Sequence, residues 1–139
     1  MTCELCAQMG GKLLWQDARC RVVLVDEPGY RGFCRVIWKA HVREMTDLAE
    51  RERSHLMRVV FAIETVLRER LKPHKINLAS LGNMTPHLHW HVIPRFETDP
   101  HFPQPVWGQQ QREIRLEVSP DAGAQLGAQL APMLLSRLG

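Results

Sequence analysis

This sequence of 139 residues has little excess charge and no long apolar run. A membrane span needs about 18 consecutive apolar residues, and no segment approaches that length. The N-terminus also lacks the charged and then apolar pattern of a signal sequence, so we expect a cytoplasmic protein without membrane contact. The formal charge of +3 is too small by itself to predict nucleic-acid binding, and we expect no nucleic-acid partner.

Internal repeats and domain linkers are absent as well. A chain of this length is long enough to bury a core, and its apolar content of 45% is ordinary for a globular protein. We therefore expect one domain over residues 1–139. Of its 18 basic residues 14 are arginine, which suits bidentate contact with phosphate or carboxylate, although a solvated face is the simpler interpretation for most of them.

The four cysteines are Cys3, Cys6, Cys20 and Cys34. Without an export signal, free thiols or a metal pair are expected before a disulfide framework. Cys3 and Cys6 have the spacing at which two thiolates bind one tetrahedral zinc, but such a site needs two more ligands from elsewhere. A redox role would need a strand before the pair, for which there is no room. Two incidental thiols remain the alternative.

Hydrophobic periodicity predicts an α+β fold, with a mainly antiparallel sheet, one long helix and a C-terminal helical extension. The predicted helix spans Thr46–Lys72, with Thr46 as its N-cap and Pro73 at its end. The predicted strands are Leu13–Trp15, Arg21–Asp26, Phe33–Lys39, Lys75–Leu81 and the stretch that follows Pro86.

The C-terminal part, residues 96–139, is predicted to lie outside a core of about residues 3–95. Glu97–Gln111 contains three prolines and a glutamine run, which predicts a long surface loop of functional or interfacial use. Arg115–Val118 is either a last strand or a lead into the terminal helix. Ser119-Pro120-Asp121 has the pattern of an N-cap followed by proline at the first helical position.

Three histidines alternate with apolar residues just before Pro94, in the order His87, Leu88, His89, Trp90, His91 and Val92. This period of two predicts a half-buried strand that carries the histidines on one face, with pairing that weakens at the proline. A polar face towards water would not require histidine. A metal-binding face and nucleophilic catalysis by one imidazole both would, and the spacing alone does not choose between them.

The stretch from His87 to Ile93 resembles the signature of the histidine triad (HIT) family of nucleotide hydrolases and transferases. Asn77, Gly82-Asn83 and Pro94-Arg95 stand where that family has comparable residues. The resemblance covers about residues 3–95. It implies a HIT-like fold with about five strands, and domains that pair as two-fold homodimers.

The resemblance also implies a reaction. In this family the middle histidine attacks the α-phosphorus of a nucleotide or dinucleoside polyphosphate and forms a covalent nucleotidyl-histidine. By position His89 is then the nucleophile, with His87 and His91 flanking it as further catalytic residues. The implied nucleotide-binding residues are Asn77 and Asn83 for phosphate oxygens, Asp26 for the ribose hydroxyls and Leu24 as a wall for the base. Turn formation by the asparagines and a simple strand end at Asp26 are the alternatives.

Some family members also hold zinc, and their four ligands coincide here with Cys3, Cys6, His41 and His87. Such a closed site would be structural, tying the N-terminal segment to the catalytic strand. No organic cofactor is expected.

Two positions depart from the family pattern. Phe33 stands where a fourth active-site histidine is common, and Met84 where many members have a hydroxyl residue that assists the leaving group. A low-turnover nucleotide-binding module is therefore the main alternative to an enzyme. A structural metal-binding domain, with all three histidines as ligands, is the second.

Overall fold

The computed structural model describes residues 3–115 and 122–139, and within them the predicted α+β fold is confirmed. One antiparallel sheet has the strand order β1-β2-β3-β5-β4. Its strands are β1 (Lys12–Gln16), β2 (Cys20–Leu24), β3 (Cys34–Trp38), β4 (Lys75–Ala79) and β5 (His89–Arg95). The helices are α1 (Glu4–Ala7), α2 (Glu50–Leu71) and α3 (Ala122–Leu138), with a 3-10 turn at Met45–Asp47 before α2.

The histidine strand β5 lies inside the sheet, between β3 and β4. Its register with β3 places His89 opposite Ile37 and His91 opposite Arg35. Because cross-strand partners share a face of the sheet, Arg35 and Ile37 lie on the face that carries His89 and His91.

The two faces of the sheet have different coverings. Alternate residues of the three inner strands, including Val22, Val36 and Val92, form the main core with α2 and α3. On the opposite face Val23 and Ile37 form a small cluster with Leu5 of the N-terminal segment. The histidine face is therefore covered by short segments, which leaves room for a site.

Helix α2 begins four residues later than predicted. Thr46 lies in the separate 3-10 turn, because the Asp47 carboxylate accepts the backbone N–H of Glu44 at 3.0 Å and closes that turn by itself. The Glu52 carboxylate accepts the N–H of Ala49 at 2.9 Å, which starts the helix proper. The predicted end just before Pro73 is confirmed.

The expected weakening of β5 pairing at Pro94 occurs on one side of the strand only. The pairing with β3 stops at Val92, but the pairing with β4 continues through Pro94 and Arg95. Proline lacks a backbone donor, and it is tolerated here because the strand has by then a neighbour on one side only.

The segment after β5 contains turns and no strand as far as Arg115, as expected for a surface loop. A buried ion pair nevertheless fixes its start: Arg95 Nε and Nη2 donate to the Asp99 carboxylate at 2.8 and 3.0 Å. Arg95 also donates to the Gln104 carbonyl at 2.7 Å. These buried contacts of Arg95 thus attach the loop to β5.

The last helix is confirmed from Ala122, with Leu126, Leu130 and Leu134 buried against the core. The predicted N-cap Ser119-Pro120-Asp121 and the stretch Leu116–Val118 lie outside the described residues. In the described part of the chain no helix is both long and apolar enough to cross a membrane.

Candidate functional site

The three histidines of the motif are all buried, with exposures of 1% for His87, 7% for His89 and 6% for His91. The rings of His89 and His91 are 4.9 Å apart between centroids, on one face of β5. His87 precedes the strand, and its ring is directed towards the N-terminal cysteines. The predicted row therefore divides into a pair on the strand and one histidine that belongs to a second cluster.

The His87 ring is oriented by the backbone of β3. Its Nε2–H donates to the Trp38 carbonyl at 2.5 Å, which leaves Nδ1 as the nitrogen with a lone pair. Burial lowers the pKa of His87, and the charges of His41 and Arg21 lower it further, whereas the bond to Trp38 raises it. The net lowering favours the neutral imidazole that a metal requires.

Around His87 Nδ1 the structure brings together the four residues of the implied zinc quartet. The Sγ atoms of Cys3 and Cys6 lie 3.4 Å from it, and His41 Nδ1 lies 3.2 Å from it. Cys6 Sγ is also 3.4 Å from His41 Nδ1. In a tetrahedral Cys2His2 zinc site the ligand atoms are about 3.3 to 3.8 Å apart. The donor set and its spacing therefore fit zinc.

A second group of possible metal ligands, Asp17, Cys20 and His55, is explained by hydrogen bonds. Asp17 accepts the backbone N–H groups of Arg19 and Cys20 at 2.8 Å each, and His55 Nε2 lies 2.6 Å from its other oxygen. Burial raises the pKa of Cys20 to about 12, so its thiol stays protonated. This group joins the β1–β2 hairpin to α2.

His89 is held by the chain itself. Its Nδ1–H donates to the His87 carbonyl at 2.6 Å, so the lone pair lies on Nε2. Burial lowers the pKa of His89 and the Arg35 charge adds to this, while the bond to the carbonyl raises it. The pKa is lowered overall, which favours a neutral ring with one nucleophilic nitrogen in a fixed orientation.

His91 is held by contacts with other rings. Its ring meets Phe33 at 5.7 Å and Trp107 at 5.0 Å between centroids, both edge to face. Its Nδ1 is buried and has no hydrogen-bond partner among the described residues. Burial, together with the charges of His89 and Arg35, lowers the pKa of His91 to about 4.

The two departures from the family pattern differ in position. Phe33 is buried and presents an apolar ring to His91, where a histidine could have donated a hydrogen bond. Met84 is 95% exposed, in the loop before the motif. Neither side chain can transfer a proton to a leaving group.

Of the implied nucleotide-binding residues, Asn77 lies in β4 and Asn83 follows that strand. Asn77 lies opposite Ile93 on the histidine face, and its Oδ1 accepts from Arg95 at 2.8 Å. Its amide is thereby oriented by the buried ion pair. Asn83 is exposed beside Gly82, whose positive φ of 80° makes the turn.

Of the other two implied residues, Leu24 is the last residue of β2 and Asp26 follows that strand. Leu24 pairs with Cys34 and points into the helix-side core, so the structure does not bring it to the face that carries His89. Both Leu24 and the exposed Asp26 border a cavity of about 650 Å³ beside Pro100 and the start of α3. Leu24 faces the core because side chains alternate between the two faces of a strand.

Sequence reasoning missed two features of the site, Arg35 and the Arg95–Asp99 pair. Arg35 could have been found as the one charged residue within the apolar run from Phe33 to Trp38. The ion pair had its signal in the i, i+4 spacing of opposite charges after a strand.

A testable consequence concerns pH. Because the pKa of His91 falls from an ordinary 6.5 to about 4 on folding, its neutral form contributes stability that is complete above pH 6.5 and is lost as pH falls towards 4. In denaturant unfolding, we expect this part of the pH dependence to shrink in His91→Gln and to persist in His74→Gln, an exposed control. An unchanged pH dependence in His91→Gln would contradict the burial of a neutral ring.

Known proteins that resemble this chain carry the same histidine motif in their family name. The HIT domain family model matches residues 7–98. A histidine triad protein from Marinobacter aquaeolei VT8 has a similar solved structure, with a TM-score of 0.79, 28% identity, and coverage of 98% of this chain and 96% of that one. A histidine triad protein from Bradyrhizobium japonicum gives 0.73 at 24% identity, covering 94% and 92%.

A Zn-bound histidine triad family protein from Mycobacterium smegmatis gives a TM-score of 0.68 at 23% identity, covering 98% of this chain and 95% of that one. No curated protein matches the chain. The family match spans well over half of the sequence and includes the entire histidine motif. The chain belongs to the HIT domain family.

Proposed function

We propose that this protein is a hydrolase or nucleotidyl transferase that acts at the α-phosphate of a nucleotide or dinucleoside polyphosphate through a covalent nucleotidyl-His89. Membership of the HIT family supports nucleotide chemistry at a general level. The observation that carries the finer proposal is the hydrogen bond from His89 Nδ1 to the His87 carbonyl at 2.6 Å. It leaves one unprotonated nitrogen, Nε2, in a fixed direction.

The proposed reaction has two displacements. The His89 Nε2 lone pair forms a bond to the α-phosphorus, and the bond from phosphorus to the leaving oxygen breaks with its electron pair going to that oxygen. Nδ1 keeps its proton and its bond to the His87 carbonyl throughout. Water, or another acceptor, then attacks the phosphorus and releases the nucleoside monophosphate, and the electron pair returns to Nε2 as the water proton passes to solvent.

The proposed nucleotide-binding residues are those whose positions match the family pattern. Asn83 and Asn77 are proposed to hold phosphate oxygens, and Asp26 the ribose hydroxyls. Leu24 would act only through the cavity that it borders with Asp26, since its side chain belongs to the core. Trp107 lies against His91 and is half exposed, so it can cover a bound substrate.

We further propose that Cys3, Cys6, His41 and His87 bind one structural zinc ion. All four protein ligands are then used, which leaves no open position for catalysis. The ion would fix the N-terminal segment and His87. His87 would thus support His89 through its carbonyl without touching the substrate.

A nucleotide-binding module with low turnover is the second candidate, and Phe33 and Met84 favour it. The purely structural metal domain is less well supported, because His89 and His91 lie outside the four-residue ligand cluster. From the family resemblance we expect a homodimer; within the described residues β4 pairs only with β5, so one of its edges is open. One domain over residues 1–139 and a cytoplasmic location stay predictions.

The covalent role of His89 predicts a specific loss. His89→Ala should abolish turnover of adenylated and guanylated substrates, because it removes the nitrogen that the bond to the His87 carbonyl orients. Nucleotide affinity, measured by calorimetry, should stay within about tenfold, since a neutral imidazole contributes little to ground-state binding. His74→Ala, an exposed histidine, is the matched control. Turnover that survives in His89→Ala would refute the assignment.

The zinc proposal predicts metal content and stability together. Elemental analysis should find close to one zinc per chain in the wild type and much less in His41→Gln, with His74→Gln unchanged. A chelator should lower the unfolding temperature of the wild type, because binding energy at a structural site is folding energy. Equal zinc content in His41→Gln and wild type would contradict the proposed ligand set.

A further inference from the structure

Arg35 occupies an unusual place for a charged residue. It is the second residue of β3 and lies between Val23 on β2 and His91 on β5. Cross-strand partners have Cβ atoms about 4.5 to 5.5 Å apart, so its side chain begins directly beside the His91 ring. A permanent positive charge is thereby placed next to the nucleophilic His89 and its neighbour.

Among the described residues, only part of the Arg35 guanidinium has a hydrogen-bond partner. Nη1 donates to the Gly10 carbonyl at 3.2 Å, which holds the group over the sheet. Nε is buried and has no partner among the described residues, and the same is true of His91 Nδ1. Leaving two buried polar atoms unpaired on cross-strand neighbours is costly, and a ligand bound beside Arg35 would offset part of that cost.

That ligand is anionic, because a guanidinium is always charged and only donates hydrogen bonds. Its planar donors match the oxygens of phosphate. We propose that Arg35 is a catalytic residue that binds the leaving phosphate chain, and that the substrates are nucleotides joined to such a chain. This inference rests on the proposed function and narrows its substrate class.

The chemistry of the leaving group supports this choice. An amine leaves phosphorus readily only when a proton is supplied to it, and neither Arg35 nor neutral His91 is an acid at pH 7. Phe33 and Met84 cannot supply the proton either. A phosphate chain departs as an anion, taking the electron pair of the broken P–O bond, and needs only positive charge and hydrogen-bond donors. Arg35 provides the positive charge and the hydrogen-bond donors that a departing phosphate chain needs, whereas an amine leaving group would need an acid.

The test compares two substrates that share the adenosine and the α-phosphorus: an adenosine polyphosphate and an adenosine phosphoramidate. In Arg35→Gln, kcat/KM for the polyphosphate should fall roughly 10²-fold, the effect of losing one transition-state donor. The phosphoramidate rate, already slow in the wild type because no acid protonates its amine, should change by less than about threefold in Arg35→Gln, since that amine makes no use of the charge. Arg51→Gln, an exposed arginine on α2, is the control, and unfolding temperature and metal content show whether each variant is folded.

A second measurement uses inorganic pyrophosphate alone as a ligand for the wild-type protein. Calorimetry should show that Arg35→Gln weakens its binding and that Arg35→Lys restores part of it. Equal losses on both substrates, or no loss on either, would overturn the role of Arg35 while leaving His89 as the nucleophile. Absence of His89-dependent turnover in the wild type would overturn the proposed function, and the assignment of Arg35 with it.

Discussion

The site depends on hydrogen bonds from imidazole N–H groups to backbone carbonyls. His87 donates to Trp38 on the neighbouring strand, and His89 donates to His87 itself. Each bond fixes which ring nitrogen carries the proton and in which direction the other one points. The Trp38 carbonyl belongs to β3, so the packing of the chain against β3 orients His87, whereas the His87 carbonyl lies just before β5 and orients His89 locally. The proposed metal-binding nitrogen thus depends on a neighbouring strand, and the proposed catalytic nitrogen on the path of the chain into β5.

His87 connects the two sites that this arrangement creates. Its Nδ1 faces two thiols and a second histidine, at separations that suit a tetrahedral metal ion. Its carbonyl orients His89. A metal ion at this cluster would therefore stabilise the position of the proposed nucleophile without taking part in the proposed reaction. On the other side, Arg95 and Asp99 attach the loop that brings Trp107 against His91. Both flanks of His89 are accordingly held by segments distant in sequence.

Much of the fold was predictable because its signals are local. Alternation gives the strands, and the spacing of leucine and valine gives α2. The start of α2 differs from the prediction, because Asp47 closes a separate 3-10 turn and Glu52 starts the helix proper, and the pattern alone does not rank these two local signals. Leu24 could not be oriented from sequence, because the side of the sheet it faces depends on register with Cys34. Arg35 could not be identified from sequence for the same reason. Its importance comes from its cross-strand partner His91, and local periodicity does not predict which residues pair.

The covalent role of His89 Nε2 is the central claim, and trapping the intermediate tests it most directly. The wild-type protein is mixed rapidly with adenylated and guanylated substrates, quenched without acid and measured intact by mass spectrometry, beside His89→Ala. We predict a mass increase of one nucleotidyl group in the wild type, mapped by peptide fragmentation to His89, and none in the variant. An adduct on another residue, or turnover without any adduct under conditions that capture fast intermediates, would contradict the account.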